Sequence, residues 1–156
     1  MSEIHKMLVF QAGQEEYAFR VQHVISIEKV EGITPTPHTS EYIKGVASVR
    51  GELIPVIDLE MFLYSQPVLE EGTRMIVLQT EELAVGVIVR DAKEIIDIFA
   101  ADIKQLSIAS FTNTAYLAGI ANLDGRLITI VDAEAFILSL DGIRDVREYL
   151  HSKGSY

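Results

Sequence analysis

Cysteine and tryptophan are both absent from the 156 residues. The first absence excludes disulfides and thiolate metal sites. Basic residues are scarce: 13 Lys and Arg stand against 23 Asp and Glu, a formal net charge of −10. Such a surface repels the phosphates of nucleic acids and the headgroups of anionic membranes, so neither is expected as a partner. Long apolar runs are missing too. The longest, such as Leu83 to Val89, are far too short to cross a bilayer, and the start Met-Ser-Glu-Ile-His-Lys lacks the pattern of a secretion signal. A cytoplasmic protein is expected.

Reactive constellations are also lacking. There is no Gly-x-Ser-x-Gly elbow, no Gly-rich phosphate loop and no Gly-x-Gly-x-x-Gly fingerprint. The four histidines, His5, His23, His38 and His151, lie in unrelated settings without ligand spacing. The doublets Glu15-Glu16, Glu70-Glu71 and Glu81-Glu82 fall in predicted turns and read as solvated carboxylates. Asp58 and Asp132 read as helix caps rather than as a catalytic pair. No catalytic residue, cofactor or metal is therefore expected, and the protein is read as a non-enzyme.

What is present is hydrophobic sequence in short pieces. Hydrophobic residues make up 49% of the chain and mean hydropathy is +0.24, enough for a compact core with some apolar surface left for partners. The pieces are rich in Val and Ile, and they alternate as half-buried strands do. Strands are predicted at Met7–Ala12, around Tyr17–Val21, at Val24–Val30, Ser48–Arg50, Leu53–Ile57, Met75–Thr80, Ala84–Val89, Glu94–Ile98 and Leu127–Val131. In the third of these, Val24, Ser26 and Glu28 share one face, with Ile25 and Ile27 on the other. Helices are predicted only behind Asp58, behind Asp132 and, from Ile143, Val146 and Leu150 spacing, over residues 142–153.

Internal repetition is the strongest signal. Residues 42–58, Tyr-Ile-Lys-Gly-Val-Ala-Ser-Val-Arg-Gly-Glu-Leu-Ile-Pro-Val-Ile-Asp, match residues 116–132 at a constant shift of 74. Met7-Leu-Val-Phe-Gln11 matches Met75-Ile-Val-Leu-Gln79 in the same order. Two copies of a strand-rich unit imply two small barrels, drawn at residues 17–72 and 73–140 with the N-terminal strand open to sharing between them. Inside the first copy, Arg50 stands between two apolar strands, where a guanidinium needs an acceptor unless the turn is exposed.

These residues resemble the CheW family of bacterial chemotaxis coupling proteins. The family's Asn-Leu-Arg-Gly turn and Pro-Val-x-Asp-Leu segment are matched by Ser48-Val-Arg50-Gly51 and Pro55-Val-Ile-Asp58-Leu59. Its Lys-Gly-Val element is matched at Gly45, its second strand at Glu16-Tyr17-Ala18 with Val24 and Ile27, and a later strand at Gly86-Val-Ile-Val89. The resemblance runs from about Met7 to Ile137. It implies a mainly β fold, two small SH3-like five-stranded β-barrels packed around a shared core, with short helices and a C-terminal helix. It also implies a non-enzymatic adaptor whose partners are the regulatory domain of the histidine kinase CheA and the cytoplasmic tip of chemoreceptors.

Carried over position by position, the partner-binding candidates are Val24, Ser26, Gly45, Arg50 and Gly51. Ser26 stands where the family has a glutamate that partners the turn arginine, Ser48 replaces Asn, and Arg90 replaces Asp. Glu28 lies two residues beyond Ser26 on the same strand face, roughly 6.5–7 Å away. It is the expected carboxylate for Arg50. Glu94 is the alternative acceptor, and a third reading leaves Arg50 free to meet the partner. Two other functions stay open: a scaffold for a different two-component pathway, and, from another class, a barrel that binds a small ligand.

Overall fold

In the computed structural model, the described residues are 3–37, 40–68, 72–81, 83–105 and 115–154. The chain forms β1 (Ile4–Ala12), β2 (Glu15–Arg20), β3 (Val24–Lys29), β4 (Ile43–Val49), β5 (Glu52–Asp58), α1 (Leu59–Tyr64), β6 (Arg74–Gln79), β7 (Ala84–Val89), β8 (Asp91–Phe99), β9 (Ile103–Lys104), β10 (Leu117–Leu123), β11 (Arg126–Val131), α2 (Ala133–Leu138) and α3 (Ile143–Gly154). One sheet has the order β3-β6-β7-β5-β4 and the other β8-β1-β2-β11-β10-β9. The mainly β fold with few short helices is as expected.

The repeat is present down to single hydrogen bonds. Hairpin β4–β5 and hairpin β10–β11 each carry a bulge, after Ile43 and after Leu117. Each closes with a backbone bond 2.8 Å long, from Asp58 to Tyr42 and from Asp132 to Tyr116. Their two-residue turns place Arg50 and Gly51 at φ 53° and 81°, and Asp124 and Gly125 at φ 55° and 93°. Two successive positive φ values match the twist of a tight hairpin, which is why a glycine sits second in both turns. Asp58 then caps α1 by accepting from the Met61 N–H at 3.2 Å, and Asp132 caps α2 by accepting from Ala135 at 3.1 Å.

Strand pairing does not follow the halves 17–72 and 73–140. β6 and β7, from the second repeat, pair with β3 and β5 of the first. Their counterparts β1 and β2 pair with β8 and β11 of the second. The two repeats have exchanged their leading hairpins, so each barrel is built from both halves of the chain. Apolar alternation specifies which face of a strand is buried and leaves its neighbour open. The exchange satisfies every pattern that the unexchanged pairing would.

Gly45 and Gly119 hold each barrel shut. Thr34 exchanges backbone bonds of 2.8 Å with Val46, bringing the segment after β3 onto the free edge of β4. A Cβ on Gly45, at φ 146°, would lie 2.0 Å from the Thr34 carbonyl oxygen. In the other barrel β9 covers β10, and a Cβ on Gly119 would lie 2.7 Å from the Lys104 carbonyl oxygen.

Three apolar clusters result. Met7, Val9, Ala18, Ile98, Ala121, Ile128 and Ile130 fill one barrel, while Ala47, Ile54, Val56, Met75, Val77, Ala84 and Ile88 fill the other. The largest lies between them and takes Leu8, Phe10, Phe19, Ile57, Ile76, Leu78, Val87, Phe136 and, from α3, Ile143 and Val146. β7 is buried at every residue because one face enters a barrel and the other the shared core. That accounts for its uninterrupted apolar sequence. The repeat-related pairs Tyr42 and Phe62, and Tyr116 and Phe136, meet edge-on, with the two phenylalanine centroids 5.3 Å apart.

Candidate functional site

Both sheets end in an edge strand next to the shared core, β3 in one and β8 in the other. Ile27 lies opposite Ile76 and Ile95 opposite Leu8, and both partners belong to the shared core. Cross-strand neighbours point to the same face, so Ile27 and Ile95 continue the core outward into solvent. They are 44% and 60% exposed. Ile25, at the bulge of β3, is 44% exposed, and Ile4 and Phe99, paired on the same face further along β1 and β8, are 52% and 46%. The two edge strands thus carry exposed aliphatic side chains outward from the shared core, and among the described residues their outer backbone edges are not paired in a sheet. Such a surface favours association with a partner.

Of the residues singled out in the sequence, only Val24 lies with these side chains on this face, half-buried against the shared core. Ser26 and Glu28 lie on the opposite face of β3, across from Val77 and Met75 of the barrel interior. The Ser26 hydroxyl is buried there with no hydrogen-bond partner among the described residues. Gly45 is buried beneath Thr34 and Pro35. Arg50 and Gly51 are exposed at the β4–β5 turn. The five candidates therefore do not form one patch.

The expected Glu28–Arg50 pair is not formed. β6 and β7 separate β3 from β5, so the strand that carries Glu28 and the turn that carries Arg50 belong to opposite edges of the sheet. Among the described residues no ion pair involves either side chain. Glu94 is engaged elsewhere, 2.7 Å from Arg126.

That contact belongs to a charged cluster the sequence did not announce. Arg126 donates through Nε and Nη2 to both carboxylate oxygens of Glu16 at 2.8 Å, and Lys93 lies 3.5 Å from the same carboxylate. The hydrogen bonds from Arg126 are the main reason the Glu16 carboxyl titrates below its ordinary value, against the opposing effect of burial. The Arg126 guanidinium is held protonated above its usual range, first by Glu16 and then by Glu94. Glu16 was expected as a solvated turn residue. It lies in β2 beside the parallel strand β11, which puts it within reach of Arg126.

Arg90, the departure from aspartate, has a structural reason. Its Nη2 donates to Glu60 Oε1 at 3.0 Å, and Nε lies 2.7 Å from Oε2, with the Glu60 side chain only 4% exposed. Nearby, the Tyr17 and Tyr64 hydroxyls share a hydrogen bond, and burial is the first cause raising the Tyr17 pKa, ahead of that bond. Among the described residues no group of three or more His, Asp or Glu side chains is placed to hold a metal, and no helix is long and apolar enough to cross a membrane.

A profile of the CheW-like domain matches residues 6–141. The chain belongs to the CheW-like family. It is 34% identical over 134 residues to the chemotaxis protein CheW of Bacillus subtilis, covering 85% of this chain and 86% of that one. To the CheW of Klebsiella aerogenes it is 32% identical over 136 residues, covering 86% and 82%. The crystal structure of the scaffolding protein TtCheW from Thermoanaerobacter tengcongensis superposes with a TM-score of 0.75 at 30% identity, over 83% of this chain and 90% of that one. The two barrels are thus the SH3-like pair of a CheW-like fold.

Proposed function

We propose that this CheW-like chain is a non-enzymatic cytoplasmic adaptor coupling membrane chemoreceptors to the histidine kinase CheA. The observation that carries the reading is the apolar exposure of the edge strands β3 and β8, where Ile25, Ile27 and Ile95 extend the shared core into solvent. An amphipathic helix of a receptor's cytoplasmic tip would lay its apolar face there, read by side chains at i, i+3, i+4 and i+7. The kinase's regulatory domain, itself similar in fold, would meet a barrel end. Leu53 and Leu127, one residue beyond the turns in β5 and β11, are 43% and 55% exposed at repeat-related positions and suit that contact. Val24 would line the receptor contact, while Arg50 and Gly51 would belong to the kinase side. Gly45 and Ser26 would act through the shape of the first barrel.

Ser26 in place of the family's glutamate, with Arg50 unpaired by it, supports a second reading in which the partners are those of another two-component pathway. Titration calorimetry with the cognate CheA regulatory domain and a receptor cytoplasmic fragment separates the two. The adaptor reading expects saturable binding of both. It expects Ile27→Glu with Ile95→Glu to weaken the receptor fragment at least tenfold while leaving the kinase domain bound. Absence of binding to either rules out the chemotaxis reading.

A further inference from the structure

The duplicated hairpins are alike in fold but not in cover. On the outer face of β4 and β5, Ile43 stands across from Ile57 and Val46 across from Pro55, and all four are buried. α3 lies against β5 and sends Ile143, Val146 and Leu150 into the cluster that holds Ile43, Val46 and Ile57. Those three side chains recur at i, i+3 and i+7, one stripe of a helix. α3 follows the matched stretch 6–141, so this cover comes from an extension and not from the duplicated unit.

The shift of 74 carries the four positions to Leu117, Ile120, Thr129 and Val131, which pair in the same way across β10 and β11. Here only Val131 is buried, and Leu117, Ile120 and Thr129 keep part of their surface in solvent. Val46 belongs to the shared core, whereas among the described residues Ile120 joins none of the three apolar clusters. No helix among the described residues lies against β11 as α3 lies against β5. Thr129 is across from Tyr17 in the parallel pair, and Tyr64, which meets Tyr17 through its hydroxyl, is 41% exposed. The second hairpin thus has the same apolar face with less of it covered.

We propose that the outer face of β10 and β11 docks an amphipathic helix of a partner chain, as the first hairpin docks α3. The helix lays aliphatic side chains at i, i+3 and i+7 over Leu117, Ile120 and Thr129. Its own α3 is committed to β5, so the occupant comes from another chain. The polar side of that helix is basic. Exposed Glu15, on the Tyr17 face of β2, and exposed Asp124, in the hairpin turn, outnumber Lys104, which lies across from Ile120. Arg126 is engaged by Glu16 and Glu94, and the chain as a whole carries −10. Such a field draws in a cationic partner and sets its orientation. The proposal does not rest on the adaptor reading, since Ile120 and Thr129 belong neither to the edge strands β3 and β8 nor to the barrel ends marked by Leu53 and Leu127.

The test titrates a capped peptide of residues 141–154, the sequence of α3, into the full chain carrying methyl labels and follows the spectra by NMR. Saturable shifts of the Leu117, Ile120 and Thr129 methyls are expected, with a dissociation constant in the millimolar range because so short a helix must also fold. A peptide with Asp145→Lys and Glu148→Lys should bind severalfold tighter at low salt, and about 0.5 M salt should remove the gain. A peptide with Val146→Asp should not bind. In the protein, Ile120→Asp should weaken binding at least tenfold. Ile120→Ala should weaken it severalfold with the melting temperature nearly unchanged, since Ile120 packs into no cluster. No shifts at several millimolar peptide, shifts confined to Ile43, Val46 and Ile57, or wild-type binding in both protein variants would overturn the proposal. So would a dimer in sedimentation that is lost on deleting residues 142–156, which would assign the face to the α3 of a second copy.

Discussion

Arg126 grips Glu16 across the parallel strands β11 and β2, with two donors at 2.8 Å on two carboxylate oxygens. In the first barrel the same two positions hold Glu52 and Ala84, so one barrel has a charged clasp where the other has none. The clasp makes stability depend on pH. Glu16 titrates below its ordinary value of 4.5, so its contribution is fully present above that pH and is lost as pH falls through the lower folded value. Urea unfolding of wild type and Glu16→Gln should show wild type more stable at pH 7 and pH 5. The difference should shrink as pH drops below about 4. A difference independent of pH would show that the glutamate acts by shape alone.

The two capping aspartates should respond unequally. Asp132→Ala loses one cap bond, costing about 1 kcal/mol. Asp58→Ala loses the same cap and also the bond to the partly buried N–H of Val68, adding about 1 kcal/mol or more. Chemical denaturation should therefore rank Asp58→Ala as the more damaging change by a factor of two or more.

Glu60 and Arg90 form a pair whose acid is almost wholly buried. Removing Arg90 alone, as Arg90→Met, strands that carboxylate and should cost about 3 kcal/mol. Adding Glu60→Met should restore most of the loss, because the desolvation penalty disappears with the charge. A double mutant no more stable than the single one would contradict this.

Arg50 lies in the left-handed region, exposed and without an ion pair among the described residues. Arg50→Ala should leave the melting temperature nearly unchanged, and Arg50→Gly should raise stability by up to about 1 kcal/mol by relieving the backbone. If the side chain serves a partner, both variants should bind the CheA regulatory domain more weakly than wild type. Binding equal to wild type removes Arg50 from the interface.

The parts of the fold legible in the sequence were those fixed by local chemistry. The constant shift of 74 exposed the duplicated hairpin, and Asp58, Asp132 and the Arg50-Gly51 turn announced their own geometry. The exchange of hairpins was hidden, because alternation in β1 and β6 is satisfied by either neighbour. The exposed apolar edge was hidden for a related reason. Ile25 and Ile27 alternate with Ser26 and Glu28 as a buried face would, yet Ser26 and Glu28 take the inward side and the isoleucines face water. The repeat offered one signal for it, since Ile27 and Ile95 are both isoleucine at equivalent positions. Glu16 was misread because its partner Arg126 is distant in sequence and reaches it only through the parallel pairing of β2 and β11.

The swapped hairpins also set the order in which a growing chain can be completed. On the ribosome β1 and β2 are finished early, but the strand that flanks β1 begins only at Asp91, and the one that flanks β2 only at Arg126. At about 5–20 residues per second, the nascent hairpin waits on the order of several seconds with Leu8, Phe10 and Phe19 uncovered. Synthesis of the first repeat alone yields no finished barrel, since β3 and β5 wait in turn for β6 and β7. A stop codon anywhere before β11 should consequently produce an aggregating fragment rather than a working half.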